Sequence, residues 1–407
     1  MLEMISLENA LGLLLERIKV STEEWTDLHL AHYRILAREI FAPINQPPFH
    51  RSPLDGYAVR GIDLASASRD APVRLKITET LAAGFIARGR VEPGTAVKIM
   101  TGAPIPPGAD TVVPFEQSRD AGGNVEIFVP LPPGSNLVKA GEDITSGNLV
   151  LERGTQLTSS EIGVLSALGL ARVDVYRRPR VAVLSTGDEL MGLGEDLTPG
   201  KIYNSNLYSL AALIQENGGE AVPLGNAPDR AVDTAYKITD GLLRADLVIT
   251  TGGASVGEYD VIKDALEMVG AQLLFWKVAM KPGTPVLAAL AGEKLILGLS
   301  GNPAAALISF EVLVRPLLRK MAGFSDLFRT RIRVKLVDSF AKKSSLRRFL
   351  RARVEPTEGA LYARLAGAQN PGVLTSLLNT NAYLDIPGNN GVLREGDIVE
   401  AIIIGQL

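Results

Sequence analysis

Three stretches in the middle of the 407-residue chain bring glycine, hydroxyl and acidic side chains together at short spacing. They read Ser185-Thr186-Gly187-Asp188-Glu189, Thr250-Thr251-Gly252-Gly253-Ala254-Ser255-Val256-Gly257-Glu258 and Ser300-Gly301-Asn302-Pro303-Ala304. Glycine lets backbone N–H groups approach an oxyanion without a Cβ in the way. Asn302 before Pro303 reads as an N-cap followed by a first-turn proline, so the next helix would offer free N–H groups and its positive dipole end to the same rim. The chemistry such loops support is the holding of a phosphate or another oxyanion. One loop alone would be a tight turn between strand and helix. Their recurrence at strand ends argues for a site, because ligands of open parallel sheets bind outside the carboxyl ends of the strands.

Acidic residues crowd the same edge: Asp188, Glu189, Asp229, Glu258 and Asp260. A carboxylate cluster suits a hard cation such as Mg²⁺ bound together with substrate phosphates. The plainer alternative is solvated loop acids and helix-start charges, and Glu258 fits it well. There is no cysteine, which excludes disulfides, thiolate metal sites and a cysteine nucleophile. The three histidines, His29, His32 and His50, all fall near the start, so a histidine zinc site or a Ser-His-Asp triad is not expected. Lys277 and Lys281 lie in Trp276–Pro285, a stretch with two prolines, and Pro282 disfavours helix at Lys281. The lysines should therefore lie on an extended or turning rim, as point-charge partners for an oxyanion.

These residues need a framework. From Arg180 to about Gly323, apolar runs at Val181–Leu184, Ala221–Leu224, Leu247–Thr250, Leu273–Trp276 and Leu295–Gly298 alternate with amphipathic stretches. That βα pattern implies a mainly parallel sheet with buried strands. Before it, Ser6–Arg17 has helical periodicity with Ser6 as N-cap, Leu28–Phe41 reads as a second helix, and Leu157–Leu168 as a third. Between these helices, short runs such as Val73–Thr78 and Val125–Val129, separated by Pro-Gly turns, read as an inserted β unit. Thr330–Leu407 returns to short strands, consistent with a small barrel or sandwich.

Composition agrees with an ordinary globular protein of about two to four domains. Hydrophobic residues make up 46% and charged residues 21%. A net charge of −3 argues against nucleic acid as a partner. No stretch is apolar enough to span a membrane and the N-terminus lacks a basic leader, so the cytoplasm is the expected location.

Taken together, several segments resemble the molybdopterin molybdenumtransferase family, which includes the gephyrin E domain. They are Ser52-Pro-Leu-Asp55-Gly-Tyr-Ala, Thr101-Gly-Ala-Pro-Ile-Pro-Pro-Gly-Ala-Asp110, Gly141-Glu-Asp143-Ile, Ser185-Thr-Gly-Asp-Glu-Leu, Tyr203-Asn-Ser-Asn206, Gly252-Gly-Ala-Ser-Val-Gly-Glu-Tyr-Asp260, Lys281-Pro-Gly-Thr-Pro and Gly301-Asn-Pro303. The resemblance implies a multidomain α/β plus β fold. Residues 1–51 with 138–176 would form an elongated discontinuous domain and 52–137 an inserted β domain. Residues 177–326 would form the α/β molybdopterin-binding domain with its mainly parallel sheet, and 327–407 a C-terminal β-barrel-like domain.

It further implies a homodimer whose cleft joins the α/β domain of one subunit to the inserted domain of the other, bringing Asp55 and Thr101 to the sheet edge. The implied reaction takes adenylylated molybdopterin and molybdate, cleaves the adenylate with Mg²⁺, and yields molybdenum cofactor and AMP. Under it, Asp55, Thr101, Glu189, Asp229 and Asp260 are catalytic, and Glu189, Asp229 and Asp260 bind the metal. Asp188, Gly252, Gly253, Ser255, Lys277, Lys281, Ser300, Asn302, Pro303 and Ser376 hold the substrates. Transient contact with the molybdopterin adenylyltransferase and with cofactor-receiving enzymes is implied as well.

The chain departs from the family pattern at Ser300, where proline is usual, and at Leu54, where methionine is usual. It departs again at Ser345-Leu346, where the family has Gly-Arg before the retained Arg347, Phe349 and Arg351. Alternatives are a tungsten-inserting paralogue, a non-catalytic gephyrin-like scaffold, and an adenylyltransferase sharing the α/β domain. The retained acids and lysines weigh against a scaffold, and the additional terminal domains against an adenylyltransferase.

Overall fold

The computed structural model of the chain describes residues 3–253, 261–357 and 359–407. The first helix, α1 (Leu7–Arg17), starts where expected because the Ser6 hydroxyl accepts the Asn9 N–H at 3.2 Å. Its buried face, Leu7, Ala10 and Leu14, joins the same core as Val181, Leu247 and Phe275, far along the chain. Ile5 bridges Val278 there.

Leu28–Phe41 is not a helix. Leu28–Leu30 is a single 3-10 turn, Tyr33 lies at φ 60°, and Ile40–Phe41 pairs with Leu149–Leu151. The main chain is claimed from outside instead: Tyr33, Leu36 and Ala37 donate to Leu157, Thr155 and Asp174. Long-range pairing has overridden a weak local helix preference. Glu23–Asp27 pairs antiparallel with Arg172–Tyr176 in the same region. There α2 (Ser159–Ala167) begins with a capping box between Thr158 and Glu161.

Residues 56–127 form a six-stranded sheet in the order Thr111–Pro114, Gly56–Val59, Thr95–Ile99, Val73–Leu81, Asn124–Ile127, Ser118–Asp120. Tyr57, Leu75, Val113 and Ile127 fill its core.

The central sheet runs Glu220–Ala227, Arg180–Thr186, Leu247–Thr251, Lys294–Leu299, all parallel, then Leu287–Ala291, antiparallel to them, and Gln272–Phe275, antiparallel to Leu287–Ala291 and so aligned with the first four. The strand Leu287–Ala291 escaped the sequence reading, because its small alanines resemble a loop as much as a strand. Side chains alternate between two cores. Val181, Val183, Ile249 and Leu297 face one, with α1 and α3 (Ser205–Glu216). Ala182, Leu184, Val248 and Ile296 face the other, with α4 (Ala231–Arg244) and α5 (Val261–Met268). Double-sided burial explains why these strands read as continuous apolar runs. Helix α6 (Pro303–Ser309) continues through a π turn, Phe310–Val314, into α7 (Arg315–Met321).

In the last region five strands close a ring: Arg347–Thr357, Ala360–Leu365, Arg331–Leu336, Ile398–Ile403, Ala382–Ile386 and back to Arg347–Thr357. Closure removes free sheet edges. Met280–Lys281 adds alongside Arg347–Arg348. Among the described residues no helix is long and apolar enough to cross a membrane.

Candidate active site

The parallel strands end at Thr186, Ala227, Thr251 and Leu299, and the loops beyond them converge. They meet backbone to backbone. Gly252 lies at φ 88°, and a Cβ there would stand 2.3 Å from the Thr186 carbonyl oxygen. A Cβ at Gly301 would stand 3.3 Å from the Gly252 Cα. No larger residue fits at Gly252 without moving the strand end, which is the close approach expected of an oxyanion-holding loop.

A buried polar lattice fixes these ends from below. The Ser185 hydroxyl lies 3.0 Å from the Thr251 hydroxyl and donates to the Asn204 side chain at 3.0 Å. The same Asn204 oxygen caps α3 by accepting the Leu207 N–H at 3.1 Å, and its amide donates to Asn226. Asn206 donates to the Gly301 carbonyl at 2.8 Å, tying the start of α3 to the third loop.

Above this lattice opens a cavity of about 1130 Å³. Its wall carries Glu189, Asp229, Gly252, Gly253, Ser300, Asn302 and Pro303 from the residues singled out in the sequence. Asp188 is adjacent: its carboxylate accepts the Asp229 N–H at 3.2 Å. Glu189 lies back over Gly187, where a Cβ would stand 2.4 Å from its carboxylate. Gly187 is therefore what leaves Glu189 its position.

Other singled-out residues lie elsewhere. Neither Lys277 nor Lys281 lines the cavity, although Pro285 beyond them does. Lys281 is exposed on the short strand beside Arg347–Arg348. Ser376 is buried and donates to Val373, while its neighbours Gly372 and Leu374 reach the wall. Ser255, Glu258 and Asp260 fall outside the described residues.

The N-terminus of α6 differs from expectation. Asn302 makes no side-chain cap, and the Ala304 N–H is not free: it donates to the Pro371 carbonyl at 3.0 Å. A loop of the C-terminal barrel occupies that donor. Gly372, Leu374 and Asn206 thus line the cavity without having been singled out as site residues. Asn206 had a sequence signal, in the Tyr203–Asn206 motif, and the barrel loop had none beyond Ser376.

Asp55 and Thr101 meet in the inserted sheet, just outside the paired strands Gly56–Val59 and Thr95–Ile99. One Asp55 oxygen accepts both the N–H and the hydroxyl of Thr101, each at 2.7 Å. These bonds, the N–H first, hold the Asp55 carboxyl below the usual carboxylate range. The pair is exposed and does not line the cavity of its own chain.

Arg347 pairs with Asp385 and Glu8. Arg351 donates to the carbonyls of Ala368 and Asn370. A smaller cavity of about 430 Å³ lies between α1 and the barrel, with Glu8 and Arg347 paired on its wall, as are Glu311 and Arg329, while Arg331 pairs with Glu400 outside it. Among the described residues no three or more His, Cys, Asp or Glu side chains gather to hold a metal by themselves.

Residues 5–169 match the family described as MoeA N-terminal region (domain I and II). Residues 182–320 match the probable molybdopterin binding domain, and 333–404 the MoeA C-terminal region (domain IV). The molybdopterin molybdenumtransferase of Bacillus subtilis (strain 168) is 36% identical over 392 residues, covering 95% of this chain and 91% of its own. The chain belongs to the molybdopterin molybdenumtransferase family. Another member, from Staphylococcus epidermidis, is 34% identical over 377 residues, covering 93% of this chain and 90% of its own. The crystal structure of a molybdopterin biosynthesis MoeA protein from Pyrococcus horikosii superposes with a TM-score of 0.88 at 32% identity, covering all of both chains. Membership makes the chain a transferase of molybdenum cofactor biosynthesis with the multidomain α/β and β fold of that family.

Proposed function

We propose that the protein inserts molybdenum from molybdate into adenylylated molybdopterin, cleaving the adenylate and releasing molybdenum cofactor and AMP. The observation that carries this reading is the cavity of about 1130 Å³ at the carboxyl edge of the sheet, with glycine loops and the carboxylates of Glu189 and Asp229 on its wall.

The donors fit Mg²⁺. Hard carboxylate oxygens are offered with neither thiolate nor imidazole beside them, and Mg²⁺ is commonly held by one or two carboxylates plus substrate phosphates. Glu189 and Asp229 would hold it, with Asp260 as a third acid. When bound, the ion supplies neutralisation of charge on the phosphate oxygens. The N–H groups of the Gly252-Gly253 and Ser300-Gly301 loops hold and orient the anionic substrate, and the buried lattice under them keeps that geometry fixed before substrate arrives. Asp188 sets the Asp229 loop. In this reading Lys277, Lys281, Ser255 and Ser376 also serve the anionic groups, the two lysines from beyond the wall, and Pro303 shapes the wall itself.

Asp55 and Thr101 act from a second copy of the chain, since in their own chain they lie off the cavity. The working form in this reading is a cytoplasmic homodimer that receives its substrate from an adenylyltransferase and hands the product to cofactor-receiving enzymes. We take 1–51 with 138–176, 52–137, 177–326 and 327–407 as its folding units.

The test is direct. Purified protein given adenylylated molybdopterin, molybdate and Mg²⁺ should release AMP in step with molybdenum incorporation. An unconsumed precursor would overturn the reading.

A further inference from the structure

The C-terminal barrel reaches the cavity through residues 366–374, and this loop hangs from one strand position. The strand Ala360–Leu365 pairs with Arg347–Thr357 only as far as Leu365 opposite Ala352. One residue further back, at Arg351, the main-chain pairing is half made: the carbonyl still accepts the Ala366 N–H at 2.9 Å, while for the Arg351 N–H the Gln369 side chain takes the place of a main-chain acceptor. Its carboxamide accepts the Arg351 N–H at 2.9 Å and donates to the Arg351 carbonyl at 3.0 Å, as a peptide unit in a ladder would. The Arg351 guanidinium, 1% exposed, gathers the same loop from inside through the Ala368 carbonyl at 2.8 Å and the Asn370 carbonyl at 3.0 Å. Directly beyond, Pro371 accepts the Ala304 N–H at the start of α6, and Gly372 and Leu374 stand on the cavity wall.

We propose that Gln369 is a positioning residue for the active cavity, its side-chain amide acting as a surrogate peptide that sets the 366–374 loop against α6 and so fixes the barrel-side wall around the substrate. The inference rests on the cavity being the site of molybdenum insertion. The fold itself does not need Gln369. The barrel ring closes through main-chain pairing without it, and the barrel's core is built from residues such as Val334, Leu350, Ala363 and Leu384. Gln369 is only part-buried, at the barrel end nearest the sheet edge. Its removal should therefore loosen one wall while the barrel stays folded.

Gln369→Met keeps length and bulk and loses the hydrogen bonds to Arg351 together with those to the Gly367 and Ala366 carbonyls within the loop. Hydrogen exchange at the Ala304 amide should quicken by about tenfold, since its acceptor is carried by the loop. KM for adenylylated molybdopterin should rise about tenfold with kcat within about threefold, because the loop orients substrate and touches no reacting bond on this account. Gln369→Glu keeps an acceptor for the Arg351 N–H and lies beside a guanidinium, so it should fall between the two, and it serves if the methionine variant fails to fold.

Unchanged Ala304 exchange in a folded variant overturns the positional role whatever the enzyme does. Faster exchange with unaltered KM shows a moved loop that the site does not use, and overturns the functional role. If wild-type protein consumes no precursor, the proposed reaction fails on its own, while Ala304 exchange still decides whether Gln369 places the loop.

Discussion

Asp188 and Asp229 hold each other's main chain: each carboxylate accepts the other's backbone N–H, at 3.2 Å onto Asp188 and 3.4 Å onto Asp229. The two residues follow neighbouring parallel strands, whose last paired residues are Thr186 and Ala227. The crossed bonds therefore tie two adjacent loops at the sheet edge. Lys201 adds a third strut by donating to the Asp188 carbonyl at 2.5 Å. Both carboxylates serve this brace, but among the described residues it is Asp229, with Glu189, that also stands on the cavity wall.

The brace and the wall acids should behave differently when amidated. Glu189→Gln and Asp229→Asn each remove a charge from the cavity, and turnover should fall on the order of 10²–10³, by analogy with loss of a preorganised charge stabiliser. Asp188→Asn keeps an oxygen that can accept the Asp229 N–H, so its loss should stay below about tenfold. Steady-state rates alongside thermal melting decide. Near-normal turnover in both wall variants would remove them from the site.

Acid sensitivity should report on the Asp55–Thr101 pair. Both Thr101 bonds favour the charged carboxylate, so the folded Asp55 stays ionised through the ordinary carboxylate range and protonates only below it. Thr101→Val deletes the hydroxyl bond and raises that value, so the acid limb of kcat/KM should move to higher pH. Thr101→Ser should return it. An acid limb shared by all three proteins would mean that Asp55 does not govern it.

Gly252 and Gly270 separate close approach from conformation alone. Both have positive φ, but a Cβ at Gly252 meets Thr186 at 2.3 Å while one at Gly270 meets nothing. Gly270→Ala should cost about 1 kcal/mol, from its backbone conformation. Gly252→Ala should cost about 1–3 kcal/mol more, because the strand end must shift as well. Denaturant unfolding measures both, and equal costs would show that the loops have room to part.

Sharing of the site between subunits predicts complementation. Asp55→Asn and Glu189→Gln proteins should each be nearly inactive alone. After verified exchange, about half of the dimers are mixed, and in each of those one cleft is intact, so about a quarter of clefts recover, as two-fold symmetry requires. Failure to recover would place every cleft within one chain.

Strong periodicity made much of this readable. The alternating runs from Val181 to Leu297 could only be buried strands of a parallel sheet, and Ser6, Pro303 and the glycine pairs marked element ends through local chemistry. Leu28–Phe41 misled because its apolar spacing is helical while its long-range partners lie at residues 149–176, beyond any local rule. The occupied Ala304 N–H was hidden for the same reason. Its acceptor, Pro371, belongs to another folding unit, and nothing around Asn302-Pro303 announces it. Lys277 and Lys281 were read by charge, and charge alone does not say on which side of a rim a side chain stands.

The burial of α1 bears on how the chain comes off the ribosome. Leu7, Ala10 and Leu14 leave the exit tunnel well before other members of the core they join, which include Leu247, Phe275, Leu317 and Leu318. An amphipathic helix thus waits for some three hundred further residues of translation before its seat is complete. Contacts of such sequence separation form late and slowly. During synthesis α1 is an exposed sticky segment, the kind that nascent-chain chaperones shield. Its docking depends on that later chain, so a segment made early is among the last to find its place.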